Sequence, residues 1–388
     1  MGLGDETSMR STMPVQSGLS IAEYASSSSY TDRLADGALT PIRLGLFGEV
    51  GSLMATSKKY HREGEAYAAH RDAVIDEFGD TLWYLAALCR RLGYSLEDVL
   101  AEASQGGGIT SDLITGTSSN FPIASIRTSE GRAAFDELLV SLGQGAADLL
   151  SAGGGIDVQR DRLVAFTQTY LRAVGACEIP LTVITTRNIA KVSGRFLRYE
   201  ISTLPDFDAE FPEDERLPRS FRIEFKQRRS GKCHLRWNGV PIGDPLTDNI
   251  EDSDHYRFHD VFHFAHGAIL HWSPTFRALI RRKRKSEKRF DENQDGGRAI
   301  VIEEGLTAYI FACAKELNYF EGQSSVSFDL LKTIAKFVRG YEVEQCPLKL
   351  WEDAILQGYA VFRMLRENGG GVIVGSRESR TISYRLEE

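Results

Sequence analysis

The stretch from residue 45 to 85 constrains this chain most. It reads GLFGEVGSLMATSKK and, after a polar connector, VIDEFGDTLWYL. Leu46, Leu53, Val74, Phe78, Leu82 and Leu85 mark apolar helical stripes, and the same segments carry Glu49, Glu77 and Asp80. Residues three or four apart on a helix share a face, so Glu77 and Asp80 point the same way. Acids on the inner side of a bundle repel one another unless a cation neutralises them, and such hard oxygen donors suit Mg²⁺ or Mn²⁺. A lone E-x-x-D would be read as solvated surface acids. The apolar flanks and the Glu49 partner favour a metal site here.

The rest of the chain is organised around that stretch. Residues 1–17 are polar and Ser/Met-rich and read as a mobile leader. SIAEYASSSS predicts a short helix, 41–60 a longer one with Pro41 in its first turn, 70–92 another stopped by Gly93, and 95–103 a helix capped by Ser95. These make a first half at 18–105. A Gly/Ser/Thr-rich linker follows at 106–125, with no lysine or helix start that would make it a phosphate loop. Three more helices, near 131–152, 158–176 and 180–200, form a second half at 126–200 that repeats the order of the first. Aligning the halves at Leu96 and Leu181 puts Arg162 where Glu77 stands and Ala165 where Asp80 stands. The second copy lacks the acids but brings Asn188, Lys191 and Arg195.

From residue 201 the composition changes. An acidic, Pro-containing stretch, LPDFDAEFPEDERLPR, reads as a linker, and alternation at 221–227 and 233–240 predicts a β-hairpin. Helices are expected over 254–270, from Ser273 through the basic run to 289, over 299–317, near 326–340 and over 348–367, with a closing hairpin after Gly369. The expected fold is therefore mainly α: a helical bundle of two tandem halves, one degenerate, plus an α+β domain at 201–388 with four short strands.

With 388 residues and 42% hydrophobic content the chain has material for two or three real cores. A net charge of -8 argues against a general nucleic-acid coat protein. Five widely spaced cysteines without a CxxC pair fit buried thiols in a reducing compartment. The longest apolar run, LWYLAAL, is too short to span a bilayer, so no membrane partner and a cytoplasmic location are expected.

GLFGEVGSLMATSKK with DEFGDTLWYLAAL resembles the MazG-like, all-α nucleotide pyrophosphohydrolases, relatives of the dimeric dUTPases, whose signature is E-x-x-E on one helix and E-x-x-D on the next. SIAEYASSSSYTD is similar to the opening helix of that family, and NIAKVSGRF to its closing Asn/Lys/Arg motif. The resemblance covers roughly residues 18–200. It implies Glu49, Glu77 and Asp80 as Mg²⁺ ligands, Lys58 and Lys59 near the phosphates, and Asn188, Lys191 and Arg195 completing a nucleotide site. The implied reaction cleaves a nucleoside triphosphate between its α and β phosphates to give a monophosphate and pyrophosphate. Ser52 replaces the second acid of the first helix, with Asp76 or Asp148 as substitutes. That departure leaves open a slow enzyme or a nucleotide sensor that does not hydrolyse. A fused pair of halves supplies in one chain what relatives obtain by dimerising, and a further homo-oligomer stays open.

A second constellation is separate. His255, His259, His263 and His266 put four of the eight histidines within twelve residues, and the last three share a helical face. With Glu303 and Glu304 on a later helix they offer a second metal site or acid/base groups, a satisfied histidine core being the alternative. HDVFH is not the zincin HExxH. Arg281 to Arg289 holds seven basic residues, read as a solvated helix face or as a surface for phosphates or nucleic acid. The block HDVFHFAHGAILHWSP, RKRKS and DGGRAIVIEEG resembles the C-terminal domain appended to some MazG-like proteins, a resemblance that implies no established chemistry.

Overall fold

A computed structural model describes residues 19–34, 37, 39–105, 110–111, 126–127, 134–151, 156–196, 199–248, 251, 253–287, 290 and 294–386. The expected leader and nearly all of the expected linker at 106–125 lie outside the described residues. The chain divides into two compact units, Met1–Leu197 and Arg198–Glu388.

The first unit is a helical bundle: α1 (Ile21–Ser29), α2 (Leu39–Glu63), α3 (His70–Leu92), α4 (Leu96–Ser104), α5 (Phe135–Leu150), α6 (Ile156–Ala176) and α7 (Leu181–Phe196). Its boundaries are chemical. Ser20 and Glu23 close a reciprocal capping box on α1. Gly93 ends α3 at φ 78°, where only glycine is unstrained, and the Ser95 hydroxyl accepts the Asp98 N–H to start α4. The packing is reciprocal: α2 lies against α3 and α5 against α6, while α7 packs on α3 and α4 packs on α6. Each half thus lends its last helix to the hairpin of the other. Leu46, Val50, Leu53, Phe78, Leu82, Leu142, Phe166 and Tyr170 fill one shared core, so neither half has a core of its own. A two-residue antiparallel ladder joins β1 (Thr110–Ser111) to β2 (Ile126–Arg127), so pairing already occurs before residue 221, where strands were expected to begin.

The second unit is α+β. Its sheet contains β3 (Ser220–Gln227), β4 (Cys233–Trp237), β5 (Val240–Leu246), β6 (Gly370–Ser376) and β7 (Thr381–Arg385) in the antiparallel order β5-β4-β3-β6-β7. The hairpins from the two sequence ends of the unit meet at β3–β6, with Ile223 opposite Ile373. This corrects the expected four strands to five. β5 carries Pro241 and Pro245, which mask its strand character, and it is tolerated because it lies at the sheet edge. The helices are α8 (Asp260–Ile269), α9 (Pro274–Leu279), α10 (Gln294–Glu316), α11 (Phe328–Phe337) and α12 (Leu348–Asn368). Helices α8 and α12 cover the sheet and bury Phe221, Phe225, Phe258, Phe264, Trp351 and Tyr359.

Three further expectations are corrected. The helix expected over 254–270 starts only at Asp260, with His255 in a left-handed conformation outside it. The helix expected through the basic run ends at Leu279, and Arg281 turns to φ 58°. The acidic stretch expected to be a linker is packed into the unit, because Arg277 pairs with Asp208, Arg377 pairs with Asp206, and the Leu217 N–H bonds Asp208 at 2.8 Å. No helix among the described residues is long and apolar enough to cross a membrane. All five cysteines are free, and burial pushes the Cys89, Cys233 and Cys346 thiols up to about 12.

Candidate functional site

In the first unit, Glu49 on α2 meets Glu77 and Asp80 on α3, one ligand oxygen from each lying within 4.8 Å of the others. All three are half-buried. Burial, then the negative charges of Asp80 and Glu77, push the Glu49 carboxyl up from 4.5 to about 7, against the opposing charge of Lys191. A site that holds protons on a glutamate near neutrality lacks positive charge, and its donors are all hard oxygens. The set therefore fits a divalent cation such as Mg²⁺ or Mn²⁺.

Helix α7 completes the wall. Asn188 Nδ2 donates to Asp80 Oδ1 at 3.1 Å and Lys191 Nζ donates to Asp80 Oδ2 at 2.5 Å. Buried Tyr24 of α1 donates to Asn188 Oδ1 at 2.9 Å, which orients the amide so that its NH₂ faces the acid. The approach of α7 depends on Gly79, since a Cβ there would fall 2.9 Å from Asn188 Cβ. Arg195 follows Asn188 by seven residues and Lys191 by four, so it extends the same face of α7. Tyr84, one turn after Asp80, covers Gly45, and burial followed by the charges of Glu49 and Asp80 pushes its hydroxyl up. Neither tyrosine was singled out from the sequence. The i+4 spacing from Asp80 was the available signal for Tyr84, whereas nothing local marks Tyr24.

Other expected members are placed elsewhere. Asp76 is held by Arg187, Nε to Oδ1 at 2.6 Å and Nη2 to Oδ2 at 3.1 Å, with Asp72 bonded to the same guanidinium at 2.8 Å. A bidentate arginine occupies the oxygens that a metal would need, so Asp76 is no substitute for the missing acid. Asp148 is exposed and does not join the carboxylate cluster. Lys58 is exposed half a turn round α2 from Glu49, and Lys59, about 15 Å farther along the helix, pairs with Glu63 at 3.9 Å and lies over the Tyr67 ring. The structure does not bring either lysine to the carboxylates.

In the second unit, α8 and α10 bring His259, His263 and His266 to Glu303 and Glu304. His263 and Glu303 are 0% exposed. His263 Nδ1 is 3.2 Å from Glu303 Oε1 and its Nε2 is 3.4 Å from Glu304 Oε2. His266 Nδ1 bonds Glu303 Oε1 at 3.0 Å, and the Thr275 N–H donates to Glu303 Oε2 at 2.9 Å. Burial works to lower His263, but the two glutamates outweigh it and hold the imidazole well above its usual range. Burial dominates at His259 and lowers it. His255 turns away to Arg257 at 2.8 Å.

The basic run is not a solvated helix face. Arg284 is buried, paired with Glu342 at 2.6 and 3.0 Å and stacked on Phe290, and Arg282 donates to the Arg216 carbonyl at 3.0 Å. Lys288 and Arg289 lie outside the described residues. The run holds the start of the unit in place, which removes Arg282 and Arg284 from any surface for nucleic acid.

These features define a class: an all-α bundle that presents clustered carboxylates and one ammonium, followed by an α+β unit with a buried His/Glu cluster. Residues 202–388 match the family model of the MazG C-terminal domain, so the second unit is similar to that family. No curated protein and no solved structure matches the chain.

Proposed function

We propose that the chain is a Mg²⁺-dependent nucleoside triphosphate pyrophosphohydrolase, with Mn²⁺ as an alternative ion, and that its site lies in the first unit. One observation carries the reading: Glu49, Glu77 and Asp80 converge across α2 and α3 while Asn188 and Lys191 from α7 close on Asp80. The MazG relationship of the second unit agrees with nucleotide chemistry. In this reading Glu49, Glu77 and Asp80 would hold the cation, whose chemistry there would be to offset the polyphosphate charge and lower the pKa of a water for attack at the α phosphorus. Asn188, fixed by Tyr24, keeps Asp80 oriented. Lys191, which donates to Asp80, would be close enough to serve a phosphate oxygen of a bound nucleotide, and Arg195 would extend the cationic wall along α7. The protein's contribution is chiefly positioning.

Purified protein with Mg²⁺ and a panel of NTPs and dNTPs is expected to release pyrophosphate and monophosphate. Glu77→Ala should lower turnover by about 10²-fold or more, the scale of losing one electrostatic stabiliser of the transition state. Full turnover in Glu77→Ala would refute the assignment.

Ser52 supports a second reading, a nucleotide sensor that binds without hydrolysis and regulates the second unit. No fourth carboxylate joins the cluster among the described residues. Calorimetric binding of nucleotide without product would favour it, and Ser52→Glu should then start hydrolysis.

A further inference from the structure

The His/Glu cluster of the second unit has an internal order that plain ion pairing does not explain. His259 Nδ1 faces the Tyr256 carbonyl at 2.9 Å, so it carries the proton and leaves the Nε2 lone pair pointing inward. That Nε2 is 3.5 Å from Asp260 Oδ1 and 3.9 Å from Glu304 Oε2. His263, one turn later, turns its own Nε2 to the same Glu304 oxygen at 3.4 Å. Both imidazole Nε2 atoms thus approach the same Glu304 oxygen, and Asp260 stands beside His259. His259, Asp260 and His263 alone bring a ligand atom each within 4.8 Å of one another.

The second observation is at His263. Its ring has no exposure to solvent, yet neither Nδ1 nor Nε2 meets hydrogen-bond geometry. A buried imidazolium kept for ion pairing alone would align its N–H bonds on its acceptors, because an unmade bond to a buried donor costs about 1–3 kcal/mol. Nitrogens that approach carboxylates off-axis suit a ligand shared with those carboxylates instead. The surroundings also match what metal-binding histidines require. The His259 ring nitrogen not used for the ion donates to the Tyr256 carbonyl, and Glu303 lies 3.2 Å from His263 Nδ1. Glu303 is in turn fixed by His266 and by the Thr275 N–H.

We infer that the second unit binds a divalent transition-metal ion through His259 Nε2, His263 Nε2, Glu304 and Asp260, with Glu303 and His266 as positioning residues. Two imidazoles and carboxylates favour Zn²⁺, Fe²⁺ or Co²⁺ over Mg²⁺. The Glu304 side chain is 39% exposed, so the site opens to solvent on that side and leaves a coordination position for water or a substrate oxygen. This site is independent of the carboxylates in the first unit.

The test is a Co²⁺ titration of the full chain after chelation, read by visible ligand-field absorption and competed with Zn²⁺. With excess Mg²⁺ present to occupy the carboxylates of the first unit, saturation of the band at one equivalent per chain is expected, with Zn²⁺ displacing it. Glu304→Gln, at a half-exposed position where the fold should survive, is expected to weaken Co²⁺ binding more than about tenfold, as is His259→Ala. Circular dichroism checks that both remain folded. Glu49→Gln in the first unit should leave the band unchanged. The inference is overturned if no band forms at equimolar metal, if folded Glu304→Gln and His259→Ala keep the wild-type titration, or if Glu49→Gln abolishes the band.

Discussion

The two carboxylate-bearing clusters solve opposite electrostatic problems. In the first unit three half-buried acids face one lysine, and the deficit of positive charge appears as a Glu49 carboxyl pushed up to about 7. In the second unit the acid is fully buried but surrounded by donors: Glu303 contacts His263, His266 and the Thr275 N–H. Burial favours protonation of Glu303, yet the histidines hold it well below the usual carboxylate range. The same residue type is thus frustrated at one site and satisfied at the other. In the proposed reading the first site would accept a cation from solution, whereas the Glu303 carboxylate of the second already has histidine partners.

The comparison is sharpened by making one change in both places. Glu303→Gln removes the counter-charge of two buried imidazoles and should destabilise the chelated protein by about 3 kcal/mol, at the low end for breaking a buried pair. Calorimetry of the full chain would show this, and an unchanged Tm would break the contrast.

Next in size is Gly79→Ala. The added methyl meets Asn188 at 2.9 Å and must push α7 from α3. Overpacking should outweigh alanine's better helix propensity, for a net loss of about 1–2 kcal/mol. Because the displaced helix carries Asn188 and Lys191, pyrophosphate release should fall with it. Wild-type activity would show that α7 contributes nothing to the carboxylate site.

The smallest effect is a pH slope. A carboxyl whose folded pKa lies above its unfolded value binds an extra proton in the native state, so its contribution to stability declines as pH rises from 4.5 to about 7. Metal-free wild type should therefore lose stability across that window relative to Glu49→Gln. Mg²⁺ should remove the difference by replacing the proton. Parallel stability curves for the two proteins without metal would mean that Glu49 is not frustrated.

Much of this organisation was legible in the sequence because its causes are local. Gly93, Ser95, Ser273 and Gly369 mark real helix ends, since capping depends on a hydroxyl or a positive φ within a few residues. Glu77 and Asp80, and likewise His259 and His263, share faces by helical periodicity alone. Where the readings failed, a distant partner had overridden the local pattern. The basic run after Leu279 has helix-forming composition, but half-buried acceptors such as Glu342 and the Arg216 carbonyl claim its arginines one by one. Asp76 was a candidate substitute for the acid missing at Ser52, but Arg187, 111 residues away, holds both its oxygens.

What the sequence determined by itself was the inventory: the helix ends marked by a local cap, which faces are apolar, and which side chains can do acid, metal or phosphate chemistry. The tertiary structure decided the pairings. It joined Lys191 to Asp80 across 111 positions and set Glu303 between two histidines of another helix. It also closed one sheet from the two ends of the second unit. Dihedral preferences and helical periodicity act over a few residues. Charge pairing and burial depend on distance in space, and only the folded chain determines which groups share it.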